Sequence, residues 1–168
     1  MKDAPHARQL AALEARGRLR RLIPRVGRDF ASNDYLGFSR DPIIAQAAAD
    51  AVARGVPVGS GGSRLLRGNA PEHEAVEARA AEFFHAPAAL FMANGFLANL
   101  AVYGALPQRG DLIVADELIH ASAHDGMARS KATTLLARHN DAQSFADIIA
   151  AWRREGGKGR IWIGVETL

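Results

Sequence analysis

The sequence predicts an α/β protein with an incomplete, mostly parallel sheet and helices on both faces of that sheet. Short apolar runs alternate with helical patterns from residue 88 to residue 165, which is typical of such folds. The last of these runs is apolar from Ile161 to Val165, which indicates a strand covered on both faces. With 168 residues, 48% of them hydrophobic and 23% charged, the chain is long enough to bury a core.

The amino-terminal part begins with a predicted helix over residues 6–22. Leu10 and Leu13 lie on its apolar side, and Pro24 and Gly27 end it.

Two further helices precede the alternating region. Asp41 followed by Pro42 predicts the cap and first turn of a helix that Gly55 ends. Another helix begins at Pro71, and its apolar side chains recur at helical spacing and are expected to face the core. These side chains are Val76, Ala80, Phe83 and Phe84.

Strands and helices then follow one another. The predicted strands are 88–92, 112–115, 132–136 and 160–165, and the predicted helices are 95–106, 120–130 and 141–155. We divide the chain into an amino-terminal helix and arm, 1–40, and the first part of an α/β domain, 41–168. The predicted strand 160–165 has the apolar pattern of a central strand, which needs further elements to cover it, and it ends three residues before Leu168. We therefore expect the sequence to be a fragment of a longer protein.

Composition excludes several classes of protein and site. The sequence has no cysteine, which excludes disulfides, thiolate metal sites and cysteine nucleophiles. No apolar run approaches the roughly 20 residues that span a bilayer. We therefore expect a cytoplasmic protein that is not bound to a membrane.

The first 28 residues are strongly cationic. Arginines occupy seven of these positions, whereas the acidic residues up to position 29 are Asp3, Glu14 and Asp29. Such an arm fits a solvated helix face, a nucleic-acid contact, a transit peptide or a surface that attracts an anionic substrate. The arginines alone leave these alternatives open.

Two junctions between a strand and a helix carry candidate chemistry. Residues 88–92 are followed by Asn94-Gly95-Phe96 and a helix, whose free amides suit an anion such as phosphate. Residues 111–120 bring the imidazole of His120 to the carboxyl end of the next strand, where open α/β sheets bind ligands. The sequence therefore predicts that a phosphate site and an imidazole share one crevice.

Spacing also offers two other interpretations. Asp116, His120 and His124 follow one another at intervals of four, which favours a metal site, but neither a His-Glu-x-x-His motif nor a thiolate supports it.

The glycine loop 59–64 is not a dinucleotide fingerprint, because Arg64 stands where the third glycine would be and a helix precedes it. The loop is either a permissive turn or a means of bringing backbone amides, Ser63 and Arg64 close to a ligand.

Four motifs in this order resemble the α-oxoamine synthases, the pyridoxal-phosphate-dependent family that condenses an amino acid with an acyl-CoA. They are Asn33-Asp-Tyr-Leu-Gly37, Gly59-Ser-Gly-Gly-Ser-Arg64 with Gly68-Asn69, Asn94-Gly-Phe96 with Ala98-Asn99, and His120-Ala-Ser122 with Asp125-Gly126. The resemblance covers about residues 10–168 and implies the large domain of a fold-type I pyridoxal-phosphate transferase. The loop and the His-Ala-Ser run are most similar to the branch that joins L-alanine to a pimeloyl thioester with decarboxylation, giving 8-amino-7-oxononanoate in biotin synthesis.

The resemblance implies a role for each matching residue. His120 would be a catalytic residue lying on the ring of pyridoxal 5'-phosphate, with Gly95 and Phe96 binding the cofactor phosphate and Glu166 near the cofactor edge. The substrate-binding residues would be Arg20, Asn33 and Ser63. The partners would be an amino acid and an acyl-CoA or acyl-carrier protein, in a homodimer, with no metal, nucleic acid or membrane.

The family also uses residues that this sequence does not hold. The aspartate at the ring nitrogen and the Schiff-base lysine have no match, since Lys2, Lys131 and Lys158 stand elsewhere in the pattern. The stretch between Pro24 and Ser32 is also shorter than in the family, which makes Arg20 harder to align than His120. We expect the chain as given to be inactive alone. The alternatives are another oxoamine synthase, of the aminolevulinate, aminoketobutyrate or long-chain type, and a non-catalytic remnant that pairs with a complete homologue.

Overall fold

A computed structural model describes residues 5–24 and 26–166, so Arg25 of the cationic arm lies outside the described residues. The chain divides into two compact units between Gly61 and Gly62. The two units are defined by contacts within the chain, whereas the predicted division is by function. The predicted division at residue 40, between an arm and a cofactor-binding domain, stays a prediction.

The first unit contains helix α1 (Pro5–Ala15), a 3-10 turn (Phe38–Arg40) and helix α2 (Pro42–Ala53). The start of α2 is confirmed, because the carboxylate of Asp41 accepts the Ile43 amide at 2.7 Å and Pro42 occupies the first turn.

The predicted length of α1 is wrong, since the helix ends at Ala15 rather than at residue 22. Gly17 adopts the left-handed conformation with φ of 63°, and its amide donates to the Glu14 carbonyl at 2.9 Å. This glycine cap ends the helix before Pro24 can.

The second unit contains all three strands among the described residues. Its elements, in chain order, are a π-helical turn (Arg64–Gly68), α3 (Pro71–Phe83), α4 (Gly95–Ala105), β1 (Leu112–Asp116), α5 (Ala121–Ala128), β2 (Thr133–Ala137), α6 (Ala142–Arg154) and β3 (Ile161–Gly164). The strands are parallel and lie in the order β2-β1-β3. The predicted α/β class with a parallel sheet is confirmed.

The central strand β1 carries the core on both of its faces. Ile113 and Ala115 pack with side chains of α5 and with Tyr103 of α4, whereas Leu112 and Val114 pack against α6. Successive strand residues point to opposite faces, so this alternation places α4 and α5 on one side and α6 on the other. Helices on both faces of the sheet are therefore confirmed.

A buried carboxylate joins the start of β1 to β3. Asp111 accepts the amide of Arg160 at 2.8 Å, the indole N–H of Trp162 at 3.1 Å and the amide of Gln108 at 2.9 Å. These hydrogen bonds, led by that of Gln108, lower the pKa of the Asp111 carboxyl. The contact fixes β3 beside β1.

Three sequence predictions about apolar segments are wrong. Residues 88–92 form no strand, because the amide of Phe91 donates to Glu77 and its carbonyl accepts from Arg64, so side chains take the place of a neighbouring strand. The side chains of Phe83 and Phe84 are 75% and 73% exposed rather than packed in the core. Strand β3 pairs only with β1 among the described residues, and its Ile163 is 59% exposed.

The helices also bear on membrane association. Among the described residues, none is both long enough and apolar enough to cross a bilayer.

Truncation of Ile113 tests the position of the core. Ile113 is 0% exposed, so Ile113→Ala should lower the free energy of unfolding by about 2–5 kcal/mol through lost burial and a cavity. The matched control is Ile163→Ala, which removes the same atoms from the neighbouring strand at a 59% exposed position. We expect the control to cost at most about 0.5 kcal/mol in chemical denaturation. Equal losses for the two variants would contradict this description of the core.

Candidate active site

The first two amides of α4 have no acceptor in the part of the chain that the structure describes. The side chain of Asn94 caps the helix by accepting the Leu97 amide at 2.9 Å, and its carbonyl accepts the Ala98 amide at 3.2 Å. The amides of Gly95 and Phe96 have no acceptor within residues 5–24 and 26–166. A side chain added at Gly95 would meet nothing within 4 Å. Two free N–H groups at the positive end of a helix, beside open space, fit a phosphate group.

Helices α4 and α5 approach each other most closely at Gly126. A Cβ atom there would lie 2.7 Å from the carbonyl oxygen of Asn99 and 3.0 Å from the Cβ of Tyr103, and Gly126 is buried. Only glycine allows the two backbones to lie this close. The contact holds the second half of α5 against the middle of α4.

A chain of hydrogen bonds links the two helices to the candidate imidazole. The side-chain amide of Asn99 donates to the hydroxyl of Ser122 at 2.9 Å, and this hydroxyl lies 2.7 Å from Nδ1 of His120. The amide of Ser122 also donates to the same Nδ1 at 3.1 Å. Asn99 is about one helical turn from Gly95, so the imidazole and the free amides belong to adjoining parts of one structure.

His120 and Glu166 lie at the same edge of the sheet. His120 caps α5 beyond the end of β1, and Glu166 stands two residues after β3; both are exposed. Since β1 and β3 are parallel neighbours, their carboxyl ends meet at this edge. Open α/β sheets bind ligands there. The predicted roles of both residues at a cofactor stay predictions.

The predicted substrate ligands fall in different units. Arg20 and Asn33 are exposed residues of the first unit, and Ser63 is an exposed residue of the second. The hydroxyl of Ser63 accepts the Leu65 amide at 3.3 Å and so caps the π-helical turn. The role of each as a substrate ligand stays a prediction.

Arg64 has a structural partner instead of a free guanidinium. Its two terminal nitrogens donate to the carboxylate of Glu77 at 2.6 and 3.0 Å, and its Nε donates to Asn69 at 2.9 Å. The hydrogen bonds from Arg64 lower the pKa of Glu77 to about 2, with a smaller contribution from the Phe91 amide. Arg64 therefore joins the π-helical turn to α3 and to the segment before α4.

The carboxylate of the metal site considered above, Asp116, is engaged by other protein groups. Asp116 is buried and accepts the amides of Asn140 at 2.9 Å and Leu118 at 2.8 Å and the ring of His139 at 2.9 Å. These bonds, led by that of Asn140, lower its pKa to about 2. Within the described part of the chain, no three His, Asp or Glu side chains could hold a metal ion together.

Two residues of this network have no role that the sequence predicts. Asn99 and Ser122 both lie inside the motifs, but the motifs do not indicate what either side chain does. A hydroxyl two residues after a helix-capping histidine is a local signal for Ser122. The Asn99 contact joins residues 23 positions apart and needs the packing of two helices, so the sequence pattern alone does not reveal it.

Comparison with known proteins identifies the family of this chain. The model of the aminotransferase class I and II family matches residues 27–159, which is most of the chain. A putative 8-amino-7-oxononanoate synthase 2 of Bacillus velezensis is 45% identical over 143 residues, covering 85% of this chain and 35% of that protein. The 8-amino-7-oxononanoate synthase of Granulibacter bethesdensis is 41% identical over 157 residues, covering 85% of this chain and 41% of its own length.

Solved structures show the same fold. The serine palmitoyltransferase of Sphingomonas wittichii matches with a TM-score of 0.71 and 28% identity, over 77% of this chain and 32% of that one. The 8-amino-7-oxononanoate synthase of Francisella tularensis matches with a TM-score of 0.62 and 32% identity, over 79% of this chain and 35% of that one. The chain thus spans between a third and about two fifths of the length of these relatives.

A methyl group at Gly126 tests the helix contact. Gly126→Ala should cost about 1–3 kcal/mol of unfolding free energy, because its Cβ would meet the Asn99 carbonyl at 2.7 Å. In the control Gly104→Ala, on the facing helix, the nearest atom would be 3.5 Å away, so we expect an unchanged or slightly raised melting temperature. Equal melting temperatures for the two variants would contradict the close approach.

Acid denaturation tests the Asp116 network. The folded-state pKa of Asp116, about 2, is below the ordinary value of 3.8, so the stabilisation is present above pH 3.8 and is lost as pH falls through about 2. The difference in unfolding free energy between the wild type and Asp116→Asn should therefore be large at neutral pH and shrink across this range. Asp147→Asn, at an exposed position of α6, should stay within about 0.5 kcal/mol of wild type. A difference for Asp116→Asn that is independent of pH would contradict the account.

Proposed function

This chain belongs to the aminotransferase class I and II family, and on that premise we propose that it contributes the cofactor-binding edge of a pyridoxal-phosphate-dependent acyltransferase of the α-oxoamine synthase type. The observation that carries the proposal is the chain of hydrogen bonds from Asn99 through Ser122 to His120, because it joins the helix with the free amides to the imidazole. The start of α4 and the ring of His120 then serve one ligand.

The residues of this edge suit the two ends of pyridoxal 5'-phosphate. The amides of Gly95 and Phe96 would donate to the phosphate, and the positive end of α4 would favour its charge. The ring of His120 would cover the pyridine ring, with Glu166 near the cofactor edge. When bound, the cofactor supplies an electron-withdrawing ring that makes the α-proton of an amino acid acidic.

The proposed reaction joins L-alanine to a pimeloyl thioester with loss of carbon dioxide, giving 8-amino-7-oxononanoate. This reaction is supported by the similarity to proteins named 8-amino-7-oxononanoate synthase, at 41–45% identity over 85% of this chain. The thioester carrier would be coenzyme A or an acyl-carrier protein, and the working enzyme would be a cytoplasmic homodimer. Other amino acids and acyl chains used within the oxoamine synthase type are the alternatives.

The substrate side of the proposal rests on three residues. Arg20 would hold the substrate carboxylate through a charge-assisted hydrogen bond, which is about twice as strong as a neutral one. Asn33 and Ser63 would each be a ligand of the amino-acid substrate. The exposure of all three side chains leaves them accessible to a ligand.

A second candidate function is a non-catalytic partner of a complete homologue. The observation in its favour is the exposure of large apolar side chains in the second unit, among them Phe83, Phe84 and Ile163. The coding DNA after codon 168 separates the two candidates. An in-frame continuation that carries a lysine favours the synthase, and an immediate stop codon favours the partner.

Replacement of Gly95 tests the phosphate site. Gly95→Pro removes one amide donor at the first helical position, where proline fits, so pyridoxal phosphate should bind roughly tenfold or more weakly in calorimetry. The control Gly95→Ala keeps the amide and places its methyl group in open space, and should bind like the wild type.

The same experiment with pyridoxal, which lacks the phosphate, completes the design. We expect Gly95→Pro to bind pyridoxal as the wild type does, because the lost donor faces only the phosphate. If the wild type binds pyridoxal phosphate no better than pyridoxal, the proposed phosphate site is wrong.

A further inference from the structure

The ring nitrogen Nδ1 of His120 lies against two donor groups of one residue. The backbone amide of Ser122 is 3.1 Å from Nδ1, and the Ser122 hydroxyl is 2.7 Å from it. The other ring nitrogen, Nε2, has no partner among the described residues. The two nitrogens of this ring therefore have different surroundings.

The direction of these hydrogen bonds is determined by the backbone. An amide N–H can only donate, so Nδ1 must present its lone pair to Ser122 and cannot carry a hydrogen. The Ser122 hydroxyl already accepts from the side-chain amide of Asn99 at 2.9 Å, which leaves its own hydrogen free to point at Nδ1. All three hydrogen bonds are satisfied by one arrangement of hydrogens.

We propose that Ser122 and Asn99 are positioning residues that hold the neutral imidazole of His120 in the tautomer with its hydrogen on Nε2. The free edge of the ring then offers an N–H donor. In the active site proposed above, on which this consequence rests, the Nε2 edge of His120 can donate a hydrogen bond to a ligand but has no lone pair with which to accept a proton.

The burial of Ser122 stabilises this arrangement of hydrogen bonds. The side chain of Ser122 is 1% exposed, so water does not compete for its hydroxyl. The close contact at Gly126, where the Asn99 carbonyl would lie 2.7 Å from an added Cβ, keeps α4 against α5 and so keeps Asn99 near Ser122. A hydrogen on Nδ1 would remove the hydrogen bond from the Ser122 amide. It would also force the Ser122 hydroxyl to accept a hydrogen bond from Nδ1 instead of donating one.

His139 provides an internal contrast. Its Nδ1 lies 2.9 Å from the carboxylate of Asp116, which only accepts, and its Nε2 lies 2.9 Å from the side-chain amide nitrogen of Asn140. In its neutral form His139 must therefore carry its hydrogen on Nδ1. The two histidines should show opposite tautomers in one sample.

The test is a long-range proton–nitrogen NMR spectrum of the chain with 15N-labelled histidine. It is recorded at about pH 8.5, about two units above the ordinary histidine pKa, and His120→Gln and His139→Gln assign the signals. We expect hydrogen on Nε2 of His120 and on Nδ1 of His139. Ser122→Ala should lower the ratio of the Nε2–H to the Nδ1–H tautomer of His120 roughly fivefold, the worth of one hydrogen bond. Ser130→Ala removes a hydroxyl that bonds the Ala132 amide instead, and should leave the His120 signals unchanged.

Two results would overturn the proposal. One is hydrogen on Nδ1 of His120 in the wild type, which needs no variant to fold. The other is a His120 tautomer ratio that Ser122→Ala leaves unchanged although a thermal melt shows a folded protein. Neither result depends on cofactor binding, so failure here is distinct from failure of the phosphate site.

Discussion

The close contact between α4 and α5 at Gly126 is the constraint on which the candidate site depends. Each helix contributes one part of the candidate site: α4 begins with two amides that have no acceptor among the described residues, and α5 begins at the capping imidazole of His120. Helices kept apart by a larger side chain would also separate Asn99 from Ser122. Because Gly126 lets the backbones approach, the hydrogen bond from Asn99 to Ser122 joins the two helices in addition to their packing.

A second constraint controls how the chain enters α4. The carboxylate of Glu77 accepts the Phe91 amide at 2.8 Å, while Arg64 pairs with Glu77 and donates to the Phe91 carbonyl at 3.3 Å. The two side chains of this ion pair therefore form the hydrogen bonds with the Phe91 backbone that a neighbouring strand would otherwise form. It follows that Arg64 helps to place the backbone of the segment before α4, and that most of its N–H donors are engaged by protein atoms.

The parts of the fold that were predictable from the sequence are those set by local signals. The Asp41-Pro42 cap, the alternation after residue 111 and the start of α4 at Asn94-Gly95 each depend on a few neighbouring residues, and each appears in the structure. Errors arose where a distant partner decides the outcome. Residues 88–92 have the composition of a strand, but Glu77 and Arg64 satisfy the backbone of Phe91, and neither contact can be read from a run of apolar letters. The same holds for Asn99 and Ser122, whose roles depend on the packing of two helices.

The central claim is that the start of α4 and the imidazole of His120 bind one small molecule. The most direct measurement is an NMR titration of the isotope-labelled chain with pyridoxal phosphate, following the amides of Gly95 and Phe96 and the ring of His120. The account predicts that all three signals move along one binding curve with a single dissociation constant. Signals that move with different constants, or a His120 ring that does not respond while the amides do, would contradict it.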